Sequence, residues 1–197
     1  VDDISSGDGL PAERTRRKFY MQNNESGLSV AGLTGAVWGV AGFSLILLDA
    51  INRLARIAVT AFDQPLTFGH WLSLLVIVAV MAYTEGYRGF QKSFSPRTAA
   101  RAYYLFRHPE PLAVIFAPLF CMGFFRATRR PLLFAWVGTT LIIMLVVALH
   151  ATPQPWRGLI DVGVVVGLSW GLISFWGSVW RVFTRVHEGV SPEVPEP

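Results

Sequence analysis

The chain has 197 residues, 52% of them hydrophobic and 15% charged, with a single cysteine. Soluble domains carry about 25% charged residues, so the composition excludes an ordinary aqueous domain, a disordered chain and a disulfide scaffold. The net charge is +4, but the basic residues flank long apolar runs, the pattern of topology signals and anionic-lipid contact rather than of nucleic-acid binding.

Residues 1–27 are polar, with Asp2, Asp3 and Asp8 ahead of Arg14, Arg16, Arg17 and Lys18. A cleavable signal needs a basic start followed directly by a short apolar core. The first apolar run, 28–51, is too long for that and reads as an uncleaved anchor. A bilayer core of about 30 Å takes about 20 apolar residues as a helix. Four runs meet or approach this length: 28–51, 66–87, 132–149 and 160–183. A fifth, 111–125, is shorter and carries Pro118 in its middle.

Charge arbitrates between four spans and five. Lys and Arg of short loops collect on the cytoplasmic side. With five spans the basic residues divide almost evenly. With 111–125 as a re-entrant or interfacial element, Arg53, Arg56 and Arg157 stand alone on one side and the other 14 of the 17 basic residues share the opposite side. The sequence therefore predicts an all-α membrane bundle of four transmembrane helices plus one short apolar helix, with both termini in the cytoplasm of a bacterial inner membrane. The tail, 184–197, is rich in Pro and Glu, and its end, 191–197, reads as disordered.

Between the second span and the short element, Ser95-Pro96 has the form of an N-cap followed by proline at the first helical position. Arg97, Arg101 and His108 then share one stripe, and Ala99, Ala102 and Phe106 another. This predicts a basic amphipathic helix over 96–108, lying on the membrane surface.

Small residues drive close helix approach in lipid. Gly32, Gly35, Ala36, Gly39 and Gly42 share a face of the first span, and Gly163, Gly167, Gly171, Ser174 and Ser178 a face of the last. Both stripes contain GxxxG. The simplest expectation is that these two helices pack on each other through them. The alternative is that one stripe docks a different chain. Trp71 and Trp156 are expected at one interface and Trp180 at the other.

Ionisable groups in or near spans are functional candidates. Asp49, His70, His150 and Asp161 fall near span ends on one side, with Arg53 and Arg157 beside them, and Glu85 falls at the opposite end. Ion pairs are expected for Asp49 with Arg53 and for Glu85 with Arg88, at helical spacings. His70 and His150 are the pair able to ligate a haem iron or a (bacterio)chlorophyll metal. An ion or proton path would join the polar cluster to Glu85. No Walker A, GxSxG or HExxH motif occurs, and no cofactor or metal is required. The sequence thus predicts a non-enzymatic accessory or scaffold subunit of a membrane complex, with lipids, anionic lipid among them, and other membrane subunits as partners. A small oligomeric transporter or channel is the alternative.

Overall fold

The computed structural model describes residues 29–184 and 192–194. The polar N-terminal segment and most of the tail lie outside these residues. The described chain is all helical, and four helices are long and apolar enough to cross a membrane: Val30–Asp63, Phe68–Arg107, Arg129–His150 and Trp156–Thr184. Helix α1 covers Val30–Val59 and ends in a tight turn at Thr60–Asp63. Helix α2, Phe68–Met81, begins with a capping box in which the Thr67 backbone N–H donates to His70 Nδ1 at 3.1 Å. It leads without a break into a wide π-helical stretch, Ala82–Phe94, and then into α3, Ser95–Arg107.

These three pieces form one rod of 40 residues. At 1.5 Å per residue it is about 60 Å long, roughly twice the hydrocarbon thickness. The Ser95-Pro96 pair was expected to open a new helix, but the rod runs through it. A proline ring and its missing N–H conflict with an ordinary α turn, and the widened turns before Pro96 relieve that conflict. The following residue adds local support: Arg97 Nε donates to the Ser93 carbonyl and Nη2 to its hydroxyl, both at 2.9 Å.

The expected surface helix is therefore corrected. Ser95, Thr98, Ala99, Ala100, Arg101, Ala102 and Leu105 of α3 are buried. The small side chains of Thr98, Ala99, Ala100 and Ala102 let α3 lie close between α1, the short apolar element and the last helix, so the face carrying them turns inward rather than onto the membrane surface.

The element at 111–125 does not cross the bundle. It forms two short helices, α4 (Pro111–Ile115) and α5 (Ala117–Met122). They run along the first turns of α1, where Gly35 faces Val114, Gly39 faces Ala117 and Cys121, and Gly42 faces Pro118. A left-handed Gly123 (φ 89°) ends α5, a conformation that costs glycine little.

Helix α6, Arg129–His150, and helix α7, Trp156–Thr184, complete the chain. Alpha-7 runs parallel to the rod and antiparallel to α1. At one end, Gly158 faces Ala61; at the other, Phe183 meets the rings of Tyr103 and Phe106. Phe43, Phe94 and Phe175 join α1, the rod and α7 in the core, with ring centroids 5.3 Å (Phe43–Phe94) and 4.7 Å (Phe43–Phe175) apart. The start of α1 and the end of α7 thus lie at one end of the molecule, here the Arg101 end. The opposite end carries Trp156.

Alpha-6 is different. It makes no substantial packing with α1, the rod or α7. From Thr140 to Ala148 every residue is exposed.

Candidate functional site

The glycine stripes bind the body together, but not as expected. Helices α1 and α7 do touch, through Phe43 and Phe175 and where Gly158 meets Ala58, rather than through the two stripes. The α1 stripe faces α3, α4 and α5: a Cβ on Gly32 would collide with the Phe106 carbonyl. The α7 stripe faces the rod. Gly163 lies on Ile77 and Met81, Gly167 on Glu85, and Gly171 on the Phe90 ring. The contact residues advance by four along α7. On the rod they advance from Met81 to Glu85 to Phe90, by four and then five. A π-helical stretch has the longer repeat, which brings Phe90 back into register with Gly171.

Glu85 is the ionisable group most deeply set in this seam. A Cβ on Gly167 would come within 2.7 Å of its Oε2, and that oxygen is buried with no hydrogen-bond partner among the described residues. The expected Arg88 pairing is not what holds it. Glu85 sits well inside the rod rather than at an end, because the helix continues past Tyr87 to Arg107. Next to it Gly86 lies against Trp170, whose Nε1 donates to Gln91 Oε1 at 2.8 Å. A carboxylate on irregular helical backbone inside a membrane bundle is a functional candidate by default.

The Trp156 end gathers part of the predicted polar set. Asp161 is buried, its Oδ2 4.0 Å from Arg157 Nε and without a hydrogen bond among the described residues. The His70 ring stands edge-on to Trp156 at 4.9 Å, and Gln154 Nε2 donates to Thr60 Oγ1 at 2.9 Å. His150 ends α6, with Nδ1 2.8 Å from the Val146 carbonyl. Among the described residues the two imidazoles share no contact, and no group of three His, Cys, Asp or Glu residues converges as a metal site. Asp49 does pair with Arg53, at 4.0 Å and largely exposed. This pair does not close the first helix as expected. Alpha-1 runs on to Val59, so Asp49 lies between the Phe43–Phe175 contact and the Ala58–Gly158 contact.

The sequence reading missed the strongest polar feature. Arg101 is only 3% exposed. Its Nε donates to the Phe120 carbonyl at 2.6 Å, Nη2 to the Phe125 and Arg126 carbonyls at 3.0 and 3.1 Å, and Nη1 to the Pro192 carbonyl at 3.2 Å. The guanidinium also lies over the Phe120 ring at 4.4 Å. Arg126 adopts a left-handed backbone, φ 50°, strained for a residue with a Cβ, and its side chain pairs with Glu110. Burial pushes the neighbouring Cys121 thiol up to about 12, with the Arg101 charge pulling the other way, so it stays a neutral, unreactive thiol. Residues 192–194 of the expected disordered tail are held here: the Thr128 N–H donates to the Glu193 carbonyl at 3.0 Å, and Val194 packs on the core. The signal that could have found Arg101 is its setting in Thr-Ala-Ala-Arg-Ala, where small neighbours permit burial. Comparison with protein-family models, with curated proteins and with solved structures returns no match.

Proposed function

We propose that the protein is a non-catalytic accessory or scaffold subunit of a larger bacterial inner-membrane complex. One observation carries this reading. Alpha-6 is a full-length apolar span that, beyond its first two turns, packs on no other described element, so its surface from Thr140 to Ala148 is offered to other chains and to lipid. The Asp49–Arg53 pair supports the same reading: an exposed ion pair partway along a membrane helix is costly in lipid and calls for a polar neighbour. By the positive-inside rule, the Arg101 end, with Arg97, Arg107, Arg126, Arg129 and Arg130, faces the cytoplasm. A photo-reactive residue at Ile142 or Val147 of α6, activated in living cells, is expected to capture unlike membrane chains. Capture of lipid alone, or only of second copies, overturns the reading.

A small oligomeric transporter is the second reading, favoured by the buried Glu85 oxygen against Gly167. Ion or proton flux in proteoliposomes that Glu85→Gln abolishes would establish it in place of the scaffold role. Wild-type vesicles without flux dismiss it.

A further inference from the structure

The Arg101 end holds a cavity of about 80 Å³ between α3, the turn after α5 and the first turns of α6. Arg97, Thr98 and Arg101 form its polar wall, and Phe94, Met122 and Phe134 its apolar wall. Glu193 of the tail also lines it. The tail reaches both guanidiniums, each at its Nη1. Arg101 Nη1 donates to the Pro192 carbonyl, and Arg97 Nη1 lies 3.8 Å from the Glu193 carboxylate. Among the described residues, the other hydrogen bonds of these two side chains go to Ser93, Phe120, Phe125 and Arg126, none of them in the tail. Displacing residues 192–194 would therefore free one Nη1 on each of two cations, four residues apart on one helix, without unmaking the rest of the Arg101 knot.

Two cationic donors beside an apolar wall suit an amphiphilic anion. Phe134 is exposed, as are Leu133 and Val137 beside it on α6, and α6 does not pack on the rod. An apolar track therefore leads from the cavity along a helix that, past Trp136, no described element covers. The geometry points to a binding site for an anionic phospholipid: its phosphate takes the place of the Glu193 carboxylate against Arg97 and Arg101, and its acyl chains run along α6. Charge-assisted hydrogen bonds from arginine favour phosphate strongly. Free phosphate would gain nothing from the apolar wall. A zwitterionic headgroup would carry a cation toward two others.

The test uses the full chain in mild detergent, with native mass spectrometry of retained lipid after equilibration with equal phosphatidylglycerol and phosphatidylcholine of the same acyl chains. The wild-type chain is expected to retain phosphatidylglycerol preferentially. Glu193→Gln removes the competing charge and is expected to raise that retention about threefold, the scale of one partly exposed ion pair, with phosphatidylcholine unchanged. Arg97→Gln, which leaves the buried Arg101 bonds in place, is expected to lower it while the thermal unfolding of the chain stays as in wild type. Equal retention of the two lipids by the wild-type chain overturns the site. So does a Glu193→Gln chain indistinguishable from wild type, or displacement of the lipid by millimolar inorganic phosphate alone.

Discussion

The three-helix body and α6 are made of similar residues and behave oppositely. Alpha-6 is the most apolar of the four candidate spans, yet none of its apolar stretch is buried among the described residues; α1 and α7 are less apolar and bury much of theirs, while the rod, the least apolar, buries none of its apolar stretch and joins the body through Gly86 and its α3 end. In water the ranking would be reversed. In lipid, apolar surface has no reason to leave its solvent, and helices associate where backbones can approach and polar groups can bond. The body has both means: glycines of α1 against α3, α4 and α5, glycines of α7 against the rod, and Arg101 gathering four carbonyls. Alpha-6 has neither along its length. Gly138, its one glycine, faces open space.

That contrast can be broken at graded strength. The largest effect is expected at Arg101. Arg101→Met strands the carbonyls of Phe120, Phe125, Arg126 and Pro192, and should cost about 3–5 kcal/mol of stability, read by denaturant titration in mixed micelles. Gly32→Ala comes next. Its methyl meets a backbone carbonyl, which cannot swing aside, and the overpacking should cost about 1–3 kcal/mol. Asp49→Asn removes only an exposed ion pair and should change the stability of the isolated chain by at most about 0.5 kcal/mol, while weakening retention of co-purifying chains. Gly138→Ala should be neutral in the same titration. A loss there comparable to that of Gly32→Ala would mean that α6 packs on the body after all.

Much of this division could be read from sequence. The glycine stripes on the first and last spans mark helices that pack, and α6 has no such stripe. The uneven distribution of arginine indicated that 111–125 turns back. Other features were hidden for physical reasons. A π-helical stretch has no residue code of its own, so the change of repeat between Met81 and Phe90 shows only when Gly163, Gly167 and Gly171 are set against it. Ser95-Pro96 carries every sign of a helix start, and only the wide turns before it let the rod continue. Arg101 shares a stripe with Arg97 and His108 that resembles a solvated face. Its burial depends on carbonyls contributed from residues 120–126 and 192, which no local pattern displays. Glu85 was placed at a span end because hydropathy falls after Tyr87, although the helix itself does not stop there.

The separateness of α6 underlies both the assembly reading and the lipid site, and a nitroxide scan in lipid nanodiscs tests it directly. Spin labels placed singly along α6 from Leu141 to Val147 should report uniformly high collision with dissolved oxygen, while labels on α7 from Val162 to Leu172 should oscillate with the helical repeat, shielded at Gly163, Gly167 and Gly171. An oscillation of equal depth along α6 would show one side of it sealed against the body, contrary to the arrangement described.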